Sequence, residues 1–294
     1  MARRGLLSRL ALYVSMMRYG LAHNRDFARE HYAFFARMCE HLRGHIRDLD
    51  GLRVLDVGCG KACWLTLLLH SSGAHATGID TEVVDAAGGW RKYVQILRRN
   101  GPERALRTWV WEMLYARPYY RELARVASFP LRFDGVDARN MSVTTLDFAD
   151  ATFDLAVSHE VFEHIDDVPA ALAELRRVLK PDAVTYIYIH NYASLSGGHH
   201  IAWKYPDTEP SDEVPPWDHL RGNRFPEIPS WINRLRERDY RAAFDAHFDV
   251  LEWFPLAPEG EALLTPEIRA ELSDYSEDEL LTKGFVVIAR PKKH

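Results

Sequence analysis

Two groups of residues in this 294-residue chain have the types and spacing to do chemistry. The first is Gly58-Cys59-Gly60, which follows the apolar run Val54-Leu55-Asp56-Val57 and precedes Leu65-Thr66-Leu67-Leu68-Leu69. Branched apolar residues suit a strand covered on both faces, and glycines let a backbone approach a ligand that a Cβ would push away. A nucleotide-like ligand is expected there. Asp80, ending Ala76-Thr77-Gly78-Ile79-Asp80, is placed to accept from two ribose hydroxyls. The second group is Glu160-Val161-Phe162-Glu163-His164, whose i, i+3 and i+4 spacing puts two carboxylates and an imidazole on one helical face. Such carboxylate-rich faces select magnesium or manganese over zinc, although the helix dipole alone also favours a glutamate near a helix start.

These residues need a frame to hold them. Strand signals lie near residues 53–57, 75–80, 131–135, 153–158, 184–190, 248–254 and 284–290, with helical patterns between them. That alternation builds a mostly parallel sheet. A dinucleotide-binding turn is disfavoured, because Lys61, Ala62, Cys63 and Trp64 follow Gly60 and the third glycine of G-x-G-x-x-G is absent.

Asp56-Val57-Gly58-Cys59-Gly60, Gly78-Ile79-Asp80, Asp134-Gly135-Val136-Asp137-Ala138 and the stretch 153–164 follow one another, closing on Arg177-Val178-Leu179-Lys180-Pro181-Asp182. In this order, over residues 52–190, they resemble the class I S-adenosylmethionine-dependent methyltransferases. The resemblance implies an α/β fold, a doubly wound, mostly parallel seven-stranded sheet with an antiparallel last strand and helical insertions. It also implies S-adenosyl-L-methionine as cofactor, held by Asp56, Gly58, Gly60, Asp80, Asp137, Ala138 and Ser158. Asp80 would serve the ribose, and residues 134–138 would form the adenine-contacting loop after the third strand. Ala62 and Asp182 depart from the family pattern, which usually has glycine at both places. The E-x-x-E-H spacing is similar to that of some metal-assisted methyltransferases, a resemblance that would add a histidine of the loop after the fifth strand as a further ligand, but the expected site holds no metal.

Methyl transfer asks a protein to align acceptor, methyl carbon and sulfur and to exclude water; a hydroxyl or amine acceptor also needs a base of near-neutral pKa. The resemblance points to His199 and His200 on the loop after the fifth strand and to His159 at the end of the fourth, with His219 in reserve. A hydrogen-bonded structural role is the alternative for each. The expected reaction is O-methylation of a small-molecule hydroxyl, on a natural product or a glycoconjugate sugar. N- or C-methylation, metal-assisted O-methylation and a scaffold without turnover are the alternatives.

Composition agrees with an ordinary globular protein, 47% apolar and 27% charged. A net charge of −5 gives no general attraction to nucleic acid. Cys39, Cys59 and Cys63 lack zinc-site spacing and are odd in number, which points to a reducing, cytoplasmic setting. The run Leu10–Met17 is bounded too closely by Arg9 and Arg18 for a secretion signal, and Leu6, Leu7, Leu10, Val14 and Met17 recur at helical spacing. A helix packed on its own domain is expected, with an interfacial membrane helix as the alternative, since no segment approaches the roughly 20 apolar residues of a membrane span.

The expected organisation is a helical cap over 1–50 and a catalytic domain over 51–294, with insertions at 88–128 and 191–247. The first insertion carries Trp90, Tyr93, Trp109, Trp111, Tyr115, Tyr119 and Tyr120, read as two helices either side of Asn100-Gly101-Pro102 that pack internally or form a lid. The second carries Gly197-Gly198 and the histidines, with Trp203 and Trp217 expected to line an acceptor pocket. Oligomeric state stays open.

Overall fold

The computed structural model describes residues 6–81, 94, 97–98, 101–102, 105–106, 108–110, 112–204, 206–225 and 231–293. Seven strands form one sheet in the order β3-β2-β1-β4-β5-β7-β6. They are β1 (Arg53–Val57), β2 (His75–Asp80), β3 (Asp137–Asn140), β4 (Phe153–His159), β5 (Leu179–His190), β6 (Phe248–Pro258) and β7 (Thr282–Pro291). Strand β7 runs antiparallel to both β5 and β6, and β1 with β4, β2 with β3 and β4 with β5 pair in parallel. This is the expected seven-stranded fold with one reversed strand.

By its internal contacts the chain divides into two compact units. Residues 1–51 and 59–140 make the first, and 52–58 with 141–294 the second.

In the first unit, helix α1 (Leu6–Leu42) buries Ala28, Phe34, Phe35, Met38 and Leu42. The side chains of Leu6, Leu7, Leu10, Val14 and Met17 lie outside the described residues. Helix α2 (Trp64–Ser71) buries Leu65, Leu67, Leu68 and Leu69, and its Trp64 ring stacks flat on His31 with centroids 4.2 Å apart. Helix α3 (Arg117–Val126) is tied to α1 at its buried face. Asn24 donates to the Tyr115 carbonyl, His31 and the Tyr119 hydroxyl are 2.7 Å apart, and Arg29 and Arg125 both clasp Glu122. Arg125 is therefore spent on a carboxylate. Trp90, Tyr93 and Trp111 lie outside the described residues, and Leu97, Leu106, Trp109 and Leu114 are exposed. Gly101 takes φ +84 with helical positions before and after it.

One strand differs from the sequence expectation. The third strand is Asp137–Asn140, not 131–135; Gly135, at φ +84, lies in a turn ahead of it. Asp-Ala-Arg-Asn is polar and half exposed because it forms the sheet edge, so it carries no hydrophobic signal. Asp137 and Ala138 consequently lie within the strand, opposite Thr77 and Gly78, and not in a loop after it.

In the second unit β4 and β5 are almost wholly buried, as strands covered on both faces should be. Helix α4 (Val168–Val178) buries Val168, Ala171, Leu172, Leu175 and Val178, and Asp167 caps its start by accepting from the Ala170 amide. The sheet order reverses between β1 and β4, both in this unit, and ligands of open α/β sheets bind beyond the carboxyl ends of strands at such a switch.

Candidate active site

At the end of β1, Gly58 takes φ +77. A Cβ there would drive into the Val161 side chain, 2.9 Å from its Cβ, so the turn closes only with glycine. Asp56 is buried in β1 opposite Val157. Ser158 is fully buried and donates its hydroxyl to the Val57 carbonyl at 3.0 Å. That bond makes Ser158 a tie between β4 and β1.

In the first unit, the Cys59 amide donates to the Ile79 carbonyl at 3.0 Å, and the Gly60 amide to the Asp80 carboxylate at 3.1 Å. These bonds dock the glycine turn on the end of β2. Gly78 allows the approach, since a Cβ there would meet Thr66 Oγ1 at 2.5 Å and Cys59 Cβ at 2.8 Å. Gly60 itself, at φ +59, has nothing within 4 Å of where a Cβ would stand. A turn of amides with open space above it and a carboxylate at its side fits a ribose-bearing cofactor. The Tyr120 hydroxyl donates to the Ala62 carbonyl, so α3 braces the position where the family pattern is broken. Asp137 accepts from Thr77 Oγ1 at 3.0 Å and pairs with Arg139, which accounts for its carboxylate within the strand ladder.

The second unit gathers its titratable residues around the ends of β4 and β5. Glu160 takes φ +54, and only Phe162–His164 form a helix, a single 3₁₀ turn. The expected helical face of Glu160, Glu163 and His164 therefore does not exist. Instead Glu160 lies 4.0 Å from His159 Nδ1 and 4.0 Å from His190 Nδ1. Burial opposes its charge, yet Lys204 and the neighbouring histidines hold its carboxyl well below the usual carboxylate range. Glu163 is 1% exposed, and burial together with the Glu160 charge holds its carboxyl well above that range. His199 Nε2 stands 3.9 Å from Glu163 Oε1, and the His199 ring stacks on His190 with centroids 4.7 Å apart.

The candidate histidines separate here. His199 and His159 belong to this cluster; burial lowers both, His199 to about 4. His200 Nδ1 instead accepts from the Ala202 amide at 3.1 Å. His219 donates Nε2–H to the Tyr192 carbonyl and packs over Gly198, where a Cβ would meet its ring at 2.6 Å. It braces the loop, as its structural alternative had it. Trp203 and Trp217 are also structural, buried with Leu195, Val214, Ile268, Leu272 and Leu280 in a small core. Sequence reading missed His190, whose signal was its place as the last residue of β5, and Ser196, whose hydroxyl lies between His190 Nε2 and Glu259 at 2.8 Å from each.

Burial of the histidines makes stability depend on pH. His199 and His219 are each lowered to about 4 in the fold from an ordinary 6.5, so protons favour the unfolded chain. Their stabilisation is complete above 6.5 and is lost as pH falls toward 4, by about 2 kcal/mol each at pH 5. Glu163, held up, runs the opposite way, but His159 and His190 are lowered as well and the histidines prevail. Urea unfolding in chelating buffer should show a lower midpoint at pH 5 than at pH 7.5, and His219→Asn should flatten that dependence. Equal midpoints would contradict the buried neutral state.

A family model described as a methyltransferase domain matches residues 21–250. No curated protein matches. Solved structures of similar fold include the PH0226 protein from Pyrococcus horikoshii OT3, at 16% identity and TM-score 0.47, covering 89% of this chain and 91% of that one. An S-adenosylmethionine-dependent methyltransferase from Mesorhizobium loti is 16% identical at TM-score 0.45, covering 85% and 96%. The 1,6-didemethyltoxoflavin-N1-methyltransferase of Burkholderia thailandensis, solved with 1,6-didemethyltoxoflavin and S-adenosylhomocysteine bound, is 15% identical at TM-score 0.46, covering 100% and 93%.

Proposed function

Because the chain belongs to the methyltransferase domain family, whose methyl donor is S-adenosyl-L-methionine, we propose that it methylates a hydroxyl of a small molecule. The observation that supports cofactor binding best is the Gly60 amide held on the Asp80 carboxylate, beneath open space at the glycine turn. S-adenosyl-L-methionine supplies an activated methyl group. The chain supplies position: Asp80 takes the ribose hydroxyls, and the open space at Gly60 receives the rest of the donor. Asp56, by its place in the family motif, is assigned to the same task. Asp137, Ala138 and Ser158 are assigned to it too, with their strand positions and bonds fixing where they stand.

For the acceptor we assign the cluster around His199. Burial keeps its imidazole neutral at physiological pH, so it can accept a proton without first losing one. A base of pKa about 4 is weak, and it suits an acceptor whose hydroxyl is made more acidic on binding. His159 shares the cluster through Glu160, and His200 is kept as an acceptor-facing residue of the same loop.

The test is direct binding. Calorimetry with S-adenosylmethionine should show saturable binding, and S-adenosylhomocysteine should raise the thermal midpoint where NAD does not. Asp80→Ala removes a carboxylate that accepts charge-assisted hydrogen bonds of about 1.5–3 kcal/mol, so affinity should fall by roughly 10- to 100-fold. Undiminished affinity in that variant would sink the ribose assignment. Hydroxyl-bearing compounds tested for release of S-adenosylhomocysteine then identify the acceptor, and release driven only by amines would overturn O-methylation.

A further inference from the structure

In the second unit Glu163, His164 and His199 each bring one ligand-type atom to a common point, all within 4.8 Å of one another. Three independent features show this convergence to be built. Glu163 is 1% exposed, and neither of its carboxyl oxygens has a hydrogen-bond partner among the described residues. The amides of Glu163 and His190 favour its charge from nearby without reaching hydrogen-bond geometry. A buried carboxyl left in that state is costly, and a fold keeps one where something else completes it.

His164 places its Nδ1 2.9 Å from the Trp231 carbonyl. A carbonyl only accepts, so Nδ1 carries the proton of the neutral ring and Nε2 the lone pair. Metal-bound histidines are oriented in this way. Asn233 secures the turn below, donating from Nδ2 to the Phe162 and Ile165 carbonyls and from its amide to the Glu163 carbonyl. His199 stands at φ +55, a conformation that costs a non-glycine residue energy and gathers at functional sites. It is held there by its amide on the Ser196 carbonyl and by its stack on His190.

We propose that Glu163, His164 and His199 bind a divalent transition-metal ion of the zinc type, with a coordination position left for water or an acceptor oxygen. Two imidazoles and one carboxylate form a nitrogen-rich set, which favours zinc and its neighbours over magnesium. The sequence spacing pointed to a different set, two carboxylates and one imidazole. Glu160 leaves that set because its left-handed backbone turns it to His159 and His190, and His199 takes its place. Tetrahedral bonds of about 2.0–2.2 Å put ligand atoms about 3.3–3.6 Å apart, so binding draws the cluster in. His199 Nε2 and Glu163 Oε1, at 3.9 Å, are already near that spacing. Metal binding does not need the methyl-transfer reading, and only the clause that an acceptor oxygen takes the open position rests on it; a bound ion would take the His199 lone pair, so His199 serves as ligand or as base and not as both at once. An ion there would make an acceptor hydroxyl more acidic.

The test uses the full chain, stripped with chelator and dialysed, then titrated with Zn²⁺ by calorimetry and with Co²⁺ by visible absorption. The expected result is one ion per chain and a Co²⁺ spectrum of a low-coordinate nitrogen and oxygen site. Glu163→Gln and His199→Asn should each weaken binding at least 10-fold, while His75→Asn, at the far end of β2, should not. Circular dichroism checks that each variant is folded. Should a variant unfold, the stoichiometry and Co²⁺ spectrum of the parent chain still decide. No saturable uptake, a Co²⁺ spectrum of the hydrated ion, or equal affinity in folded Glu163→Gln and His199→Asn would overturn the site. None of these readouts depends on methyl transfer.

Discussion

Gly58→Ala is expected to cost about 2–5 kcal/mol of stability and to weaken S-adenosylmethionine binding at least 10-fold. Two effects add. A Cβ at φ +77 costs about 1–2 kcal/mol in the backbone alone. The same Cβ enters the space of Val161, and forcing a methyl group into a packed site costs typically about 1–3 kcal/mol. Relief of the clash must move either the β4–Phe162 connection or the turn that leads to Gly60, and that turn is the proposed cofactor site. Gly60→Ala is the control, because its Cβ would meet nothing within 4 Å. It should lose only the backbone part of the stability, yet still lose affinity, since the added methyl stands in the open space assigned to the donor. Adding Val161→Ala to Gly58→Ala should recover most of the packing part but not all of it, since the Val161 Cβ, 2.9 Å away, remains. Urea unfolding and calorimetry on the four proteins decide it. A Gly58→Ala protein as stable as its parent would show that the turn is not constrained as described.

What could be read from the sequence follows how strongly burial marks each element. Strands β1, β2, β4, β5 and β7 announced themselves because their cores are apolar, as in Ala183-Val184 and Tyr186-Ile187-Tyr188-Ile189 of β5, and the edge strand β6 because Val250-Leu251 and Trp253-Phe254 favour a strand although they are not buried. Strand β3 did not, because Asp137–Asn140 pairs on one side only and stays polar. The glycine turn was legible for a different reason: Gly58 and Gly60 take positive φ, which few other residues tolerate, and Gly78 answers a close approach. No such signal exists for Glu160, a non-glycine residue at φ +54, and one left-handed residue was enough to break the helical face inferred from Glu160, Glu163 and His164. That a histidine of the loop after β5 joins Glu163 and His164 was open to the family resemblance, but which one, and its stack on His190 at the end of β5, was not: periodicity says nothing about where such a segment returns.

Trp217 shows most clearly how residue type alone can mislead about a pocket. Trp217→Ala is expected to destabilise the chain by about 3–5 kcal/mol, the usual cost of removing a buried indole, and any loss of turnover should follow from unfolding. Trp217 is fully buried against Leu195, Val214, Ile268, Leu272 and Leu280, so its ring joins the segment after β5 to the helices that precede β7. Its Nε1 has no hydrogen-bond partner among the described residues, and a tryptophan retained despite that penalty is retained for its volume. Trp217→Phe, which keeps much of the ring and deletes the unpaired donor, should therefore cost far less than Trp217→Ala. The same core places His219, two residues on, whose ring supports Gly198 beside His199. Softening the core should consequently loosen the segment that carries His199, and Zn²⁺ uptake by Trp217→Ala should weaken in the temperature range where that variant begins to melt. A Trp217→Ala chain that keeps the parent's urea midpoint while losing turnover would make Trp217 an acceptor-contacting residue after all, and would require the segment after β5 to open around it.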